Sequence, residues 1–365
     1  MHAIRRAYPL ARITLVTWPE EMGRAETGKL LEGAEWLDEI LIYRKAELAG
    51  LRGKLAMLRD LRRRRFDVWF GIPASHWSLG KLLVTMLLAR LAHAKWAYGW
   101  RLSRVGSFAQ AQSEWLDRPT QVERLLAIVR KAGLQCEGLP RWPLPIKDAH
   151  RQRVCALLNE IGWRSQPLVA IAPCAGHANR RWPIERFGAA ARALAEDGWR
   201  VVIVGGPADA ATCEAVAYDA GGKTISLAGR LSLLESCALL ERCRLLIGLD
   251  SGPQHLASAV GTPCISLFSF AELRGEWVPW GRSKWVIQNW VDCHTCLREE
   301  CPFDNRCMEL TSVELVVALA RRVLNGEDSA PPFPAEPGTT GLVLRRANAR
   351  YTDQRTRAQE GCAER

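Results

Sequence analysis

No stretch of this 365-residue chain is apolar for long enough to cross a bilayer. The opening residues, with Arg5, Arg6 and Arg12 spread among them, hold no apolar secretory core. Both absences lead to the expectation of a cytoplasmic protein. No G-x-G-x-x-G follows an apolar strand, and V-V-I-V-G-G-P at 201–207 lacks that spacing, which sets nicotinamide-type oxidoreductases aside. Nucleic-acid motifs and internal repeats are also missing, so no nucleic-acid partner is expected. What is present is ample: 48% hydrophobic and 24% charged residues suffice for two α/β domains with good cores. The net charge of +11 points to an anionic partner, such as a phosphorylated glycolipid or an anionic membrane surface, or else to a solvated basic surface. Twelve cysteines without a secretion signal are read as thiols.

Short apolar runs alternate with amphipathic stretches, the pattern of parallel sheets covered by helices on both faces. In the first half, strands are expected near 12–17, 39–43, 67–70 and 95–98, with helices at 51–63, 78–92 and 121–132. In the second half, strands are expected at 168–172, 200–204, 224–226, 243–248 and 264–268. Helices there fall at 150–161, 184–195, 209–218, 233–241 and 312–324. Residues 1–134 and 148–325 then form two doubly wound domains, joined by a proline-bearing linker at 135–147. Residues 326–365, rich in Pro, Gly, Arg and Glu, are expected to be mostly disordered.

The most informative stretch is L-D-S-G-P-Q-H-L-A-S-A at 249–259. It follows one apolar strand, opens a short helix and precedes another strand. A helix N-terminus at the carboxyl edge of a sheet offers free N–H groups and the positive end of the helix dipole to an anion. Ser251 and Gly252 let a phosphate approach the backbone, and His255 lies one turn after Ser251. An Asp or Ser N-cap with a core histidine explains the same residues without a ligand.

A second strand-to-helix loop runs from Pro173 to Pro183, with the small residues Ala175 and Gly176 open to backbone contact and Arg180 available as a fork. Trp182 suits the core. Gly206 and Pro207 end a further strand, the usual place for a nucleotide-facing loop. Asp209 just beyond is placed either to accept from ribose hydroxyls or to cap the next helix. Cys293, Cys296, Cys301 and Cys307 are spaced C-x2-C-x4-C-x5-C, which invites structural zinc or an iron–sulfur centre, or forms a thiol-lined loop.

These motifs occur in a recognisable order. A-I-R-R-A-Y-P-L-A-R-I-T-L-V-T opens the chain, followed by L-R-R-R-R-F-D-V-W-F-G-I and T-Q-V-E-R-L-L-A-I-V-R-K-A-G-L. V-A-I-A-P-C-A-G-H-A-N-R-R-W-P-I-E-R-F, V-V-I-V-G-G-P and the run from Leu227 to Phe268 come next, then the late cysteines. From about residue 1 to 324 the set resembles the ADP-heptose:lipopolysaccharide heptosyltransferases, glycosyltransferase family 9. Residues 250–259 match that family's D-[ST]-G-x-x-H-L-A-x-A signature.

The resemblance implies an α/β GT-B fold, two Rossmann-like doubly wound domains facing a cleft, the first binding the acceptor and the second the nucleotide sugar. It implies inverting, metal-independent transfer of heptose from ADP-heptose to the lipopolysaccharide core, at the cytoplasmic face of the inner membrane and without a required cofactor. Ala175, Gly176, Arg180, Asp250, Ser251, Gly252 and His255 would meet the donor phosphates and sugar. Gly206, Pro207, Asp209 and Gly229 would meet the nucleotide, Gly229 in a loop resembling the one beside the adenine. Ser75, His76, Lys81, Arg101 and Arg104 follow first-domain strands and would suit the acceptor's carboxylate and phosphates, though each alone is an ordinary surface residue.

The family normally begins with a strand and a Gly-Asp loop whose Asp is the proposed general base. This sequence opens in what resembles the following helix. No residue is therefore assigned as base, and a start upstream of Met1 is expected. A GT-B transferase using another nucleotide sugar and a non-catalytic sugar-nucleotide-binding relative are the alternatives.

Overall fold

The computed structural model describes residues 1–17, 27–44, 46–72, 79–100, 120–136, 142–163, 165–222, 224–269, 277–281, 284–289, 291, 293, 300–327 and 342–346. The chain divides into two compact units, Met1–Gly138 and Leu139–Arg365. The division falls inside the segment expected as the linker.

The first unit runs α1 (His2–Ala7), β1 (Thr14–Thr17), α2 (Thr27–Leu31), β2 (Glu39–Ile42), α3 (Gly50–Arg63), β3 (Val68–Phe70), α4 (Leu79–Leu91), β4 (Trp96–Tyr98) and α5 (Gln121–Lys131). β1 pairs in parallel with β2, and β3 with β4. Among the described residues these are two separate two-stranded sheets rather than one. Arg5 and the Ile13 N–H both bond to the Asp38 carboxylate, tying α1 and β1 to the start of β2. α5 begins with a full capping box: Glu123 N–H donates to Thr120 Oγ1, and Thr120 N–H donates to the Glu123 carboxylate.

The second unit continues with α6 (Asp148–Glu160), β5 (Leu168–Ala172), α7 (Ile184–Glu196), β6 (Arg200–Ile203), α8 (Ala210–Asp219), β7 (Thr224–Ser226), α9 (Leu233–Arg242), β8 (Cys243–Leu249), α10 (Gly252–Val260), β9 (Cys264–Phe268), β10 (Lys284–Asn289), α11 (Arg306–Glu309), α12 (Val313–Leu324) and β11 (Leu342–Arg346). Its sheet has the order β11-β10-β9-β8-β5-β6-β7. The six strands β5 to β10 are mutually parallel, and β11 adds antiparallel to the edge of β10. Read from β7, the parallel strands follow the doubly wound order 3-2-1-4-5-6.

Every residue of β5 is buried, as are Val201–Ile203 and Leu245–Leu249. Consecutive burial means that both faces of the sheet are covered. The cover comes in two sets: α7 packs with α8 and α12, and α9 packs with α6 and α10. No helix of the described residues is long and apolar enough to cross a membrane.

Two strands depart from expectation. β10 reads K-W-V-I-Q-N, too polar to announce a core strand, yet all six residues are buried. Its polar side chains are paired: Lys284 Nζ donates to the Thr262 carbonyl, Gln288 Nε2 to the Ser269 carbonyl at 2.9 Å, and Asn289 Nδ2 to the Cys307 carbonyl at 2.9 Å and Thr311 Oγ1 at 2.7 Å. β11 corrects the expected disorder of 326–365 for five residues. L-V-L-R-R is an apolar island that gains backbone bonds at an open sheet edge.

Candidate functional site

The winding direction reverses between β5 and β8, which are neighbours although α7, α8 and α9 separate them in sequence. A crevice at the carboxyl ends of two such strands is where open α/β sheets bind ligands. The packing there is close: a Cβ on Gly248 would lie 3.2 Å from both Ala172 Cβ and the Ala172 carbonyl oxygen. The loop after β5 makes a single 3-10 turn, Ala178–Arg180, which carries Arg180 towards the loop after β8. Arg180 Nη1 lies 3.5 Å from Asp250 Oδ2 and 3.4 Å from the Asp250 carbonyl oxygen. Asp250 is 6% exposed, so it needs partners. The second arrives from α10: Gln254 Nε2 donates to Asp250 Oδ1 at 2.9 Å. Gln254 is buried and its Nε2 also faces the Trp277 carbonyl at 3.4 Å.

Beside this pair, α10 starts without a side-chain cap, and Ser251 Oγ turns back to the Leu249 carbonyl at 3.5 Å instead. Gly252 is exposed, and a Cβ built on it would meet nothing within 4 Å. The positive end of a nine-residue helix therefore lies next to a guanidinium, with Gly252 uncovered among the described residues. His255 is half-buried with its ring edge-on to Trp277, the centroids 6.2 Å apart. Burial pushes its pKa down to about 4, so the imidazole is neutral at pH 7.

The next two strands in the sheet bring a second pair of loops together. After β6, Gly206 N–H donates to Asp209 Oδ2 at 2.9 Å. Asp209 occupies the N-cap position of α8 but makes no cap bond to that helix, so of its two expected roles the capping one is spent on its own loop. After β7, Gly229 N–H donates to the Gly205 carbonyl at 3.1 Å. Gly229 has φ +71°, and a Cβ there would stand 3.1 Å from Pro207 Cα, so both its conformation and its contact call for glycine. The loops that follow β8, β5, β6 and β7 thus line one sheet edge in that spatial order.

The glycosyltransferase family 9 (heptosyltransferase) model matches residues 55–306, well over half of the chain. The chain belongs to glycosyltransferase family 9. It is a glycosyltransferase with a GT-B fold. Lipopolysaccharide heptosyltransferase 3 of Escherichia coli K12 is 26% identical over 279 residues, covering 75% of this chain and 79% of that protein. The family 9 glycosyltransferase of Veillonella parvula superposes with a TM-score of 0.67 at 20% identity, covering 89% of this chain and 91% of that one. The Escherichia coli ADP-heptose LPS heptosyltransferase II gives a TM-score of 0.62 at 20% identity, covering 90% and 94%.

In this family 9 chain every expected donor-side residue is described, and all lie in the second unit. Ala175 is buried with its carbonyl accepting from Arg181 Nε at 3.2 Å, while Gly176 is exposed. Trp182 belongs to the core: it is buried edge-on against Phe187, with Nε1 donating to the Thr311 carbonyl at 3.0 Å. Among the expected acceptor residues, Lys81 is exposed in the opening turn of α4, and Ser75, His76, Arg101 and Arg104 lie outside the described residues.

Cys293 and Cys301 are half-buried, Cys307 is buried in α11, and Cys296 lies outside the described residues. No group of three His, Cys, Asp or Glu among the described residues is arranged to hold a metal ion. Sequence reasoning missed Gln254, whose signal was its i, i+4 spacing from Asp250.

Proposed function

We propose that this chain transfers a heptosyl residue from ADP-heptose to the lipopolysaccharide core, with inversion at the anomeric carbon. The observation that carries the reading is Arg180 held against Asp250 at the β5–β8 crevice, beside the uncapped N-terminus of α10. An ADP leaving group develops negative charge on its diphosphate as the glycosidic bond breaks. Arg180 and the α10 N-terminus supply preorganised positive charge for it, which lowers the barrier without reorganisation. Gly176 and Gly252 are the points where the diphosphate approaches the backbone, with Ala175 and Ser251 flanking them. His255, neutral, orients a sugar hydroxyl or a phosphate oxygen, and Asp250 both positions Arg180 and faces the sugar. Gly206, Pro207 and Gly229 shape the nucleotide floor, and Asp209 accepts from the ribose.

The names of two relatives support the substrates: one is a lipopolysaccharide heptosyltransferase and the other an ADP-heptose enzyme. On this reading the acceptor is a lipid-anchored polyanion met by the first unit, with Lys81 among its contacts. The +11 charge then suits peripheral attachment to an anionic membrane surface on the cytoplasmic side.

Isothermal calorimetry with ADP-heptose, ADP and UDP, alongside Arg180→Ala, tests the donor. ADP-type ligands should bind and UDP should not, and the variant should lose the binding. Preference for UDP would replace the donor, and ADP binding without any ADP-heptose binding would overturn the proposed transfer.

A further inference from the structure

In the first unit, α4 is apolar on the side it buries and on the side it does not. Its buried residues are Leu82 and Ala89. Leu79, Leu83, Val84, Met86, Leu87 and Leu91 are exposed, by between 37% and 65% of their surface. Their spacing puts all six on one side of the helix, away from Leu82 and Ala89. A single exposed leucine is ordinary, but six large apolar side chains on one thirteen-residue helix form a patch. α3 packs beside α4 and extends the patch. Its exposed Leu51 and Leu55 share a side with Arg62 at i, i+4 and i+11, and Arg62 Nε reaches across to the Leu91 carbonyl at 2.7 Å.

Cations lie among these leucines. Residues 50–91 hold nine Lys and Arg against two carboxylates, Asp60 and Asp67. Both carboxylates are engaged locally, Asp60 by Tyr43 and Arg64 and Asp67 by Lys95. Arg52, Lys54, Arg59 and Arg63 of α3 and Arg90 of α4 are exposed. We propose that the α3–α4 face docks this chain on an anionic lipid bilayer, with α4 lying along the headgroup plane.

Thirteen residues are too few to span the hydrocarbon, so α4 sits at the interface, its leucines among the outer acyl carbons and the basic heads at the lipid phosphates. The charge selects this occupant over others. A second copy docked on the same face would set the cations against themselves across a two-fold axis. A nucleic acid would meet the cations and leave the leucines in water. An anionic bilayer meets both. The proposal rests on the peripheral attachment proposed above, which it turns from a net charge into a named face, and it is independent of the donor. Docking in this way brings the opening turn of α4, with Lys81, to the headgroup layer where a lipid-anchored acceptor carries its charges.

The test is cosedimentation of the full chain with vesicles of equal parts phosphatidylcholine and phosphatidylglycerol, and with vesicles of phosphatidylcholine alone. The chain should bind the anionic vesicles, less tightly as salt rises, and should bind phosphatidylcholine roughly tenfold more weakly or worse. Arg52→Gln with Lys54→Gln should lower affinity for the anionic vesicles roughly fivefold for each charge. Val84→Ser with Leu87→Ser should lower it about tenfold or more at an unchanged thermal midpoint, since both side chains already face water in the free protein. Tyr218→Ser, at an exposed aromatic of α8 in the second unit, should bind like the parent. If the α4 variant loses its thermal midpoint, hydrogen exchange of the parent decides: vesicles should slow exchange across residues 79–91, and unchanged exchange there overturns the proposal. No binding to anionic vesicles, equal binding to both kinds, or parent-like binding by both double variants also overturns it. So does a dimer in light scattering that Val84→Ser with Leu87→Ser disperses, which would give the face to a second copy. Vesicle binding by protein that takes up no ADP upholds the docking face and counts against heptosyl transfer alone.

Discussion

Arg180 Nη1 bonds to the backbone carbonyl of Asp250 at 3.4 Å and pairs with its carboxylate at 3.5 Å, joining two loops that lie 70 residues apart in sequence. The double contact gives the guanidinium one place to be. Asp250 is buried and its other oxygen is occupied by Gln254, so the carboxylate has little freedom of its own. The arrangement fixes a cation at the sheet's switch point before any ligand arrives, which reduces the ordering cost of binding an anion there.

Removing that cation should be felt mainly in nucleotide affinity. A hydrogen bond to a charged group contributes about 1.5–3 kcal/mol, so Arg180→Ala should weaken ADP binding by roughly 10- to 100-fold. Arg180→Lys should recover only part, because an ammonium lacks the planar fork. Asp250→Asn should cost less than Arg180→Ala, since the carbonyl oxygen at 250 still accepts from Arg180. Calorimetry on the three variants checks the order. If Asp250→Asn proves the most damaging, Asp250 acts on the donor directly and not through Arg180.

His255 gives a pH signature. Its folded pKa of about 4 lies below the ordinary value of 6.5, so the unfolded chain takes up a proton first as pH falls. Its contribution to stability is therefore complete above 6.5, declines between 6.5 and 4, and is gone below. Imidazole resonances assigned through His255→Gln should titrate near 4 in the free protein. Saturating ADP should raise that midpoint, because a nearby diphosphate favours the imidazolium. A midpoint near 6.5 in the free protein would show that the ring is solvated and has no such role.

Much of the second unit could be read before its structure was known. β5, β6, β8 and β9 are short apolar runs, and α9 announces itself with Ser232 and Glu235 at capping-box spacing. The strand-to-helix loops were legible because glycine and serine between a strand and a helix carry a local meaning. What local pattern cannot supply is a partner. β10 looks like a loop until Lys284, Gln288 and Asn289 are each given an acceptor by distant segments. Asp250 could equally have been a cap or a sugar ligand, and its contact with Arg180 depends on the strand order rather than on either loop. Asp209 had two plausible duties in sequence, ribose contact or capping of the next helix; it makes no cap bond to α8 and instead accepts from Gly206 N–H, which follows from the turn's conformation.

Asn289 provides a direct measure of how much those distant partners matter. It is 5% exposed and serves two acceptors, the Cys307 carbonyl and Thr311 Oγ1. Asn289→Leu keeps the volume but strands both, at about 1–3 kcal/mol for the groups left unpaired. In a domain of this size that is roughly 2–4 °C of thermal midpoint per kcal/mol, readable by calorimetry of the second unit's transition. An unchanged midpoint would mean that the two acceptors find water once the amide is gone.

Gly229 and Gly221 form a matched pair that separates strain from contact. Both are left-handed, with φ +71° and +84°, so alanine at either should cost about 1–2 kcal/mol in backbone conformation. Around Gly221 a Cβ meets nothing within 4 Å, whereas at Gly229 it meets Pro207 Cα at 3.1 Å. Gly221→Ala should therefore lower the thermal midpoint and leave ADP affinity alone. Gly229→Ala should lower the midpoint further and also weaken ADP, because the displaced Pro207 belongs to the loop proposed to face the nucleotide. Equal ADP affinity in the two variants would mean that the Gly206–Pro207 loop can shift without the nucleotide sensing it, and would remove that loop from the binding site.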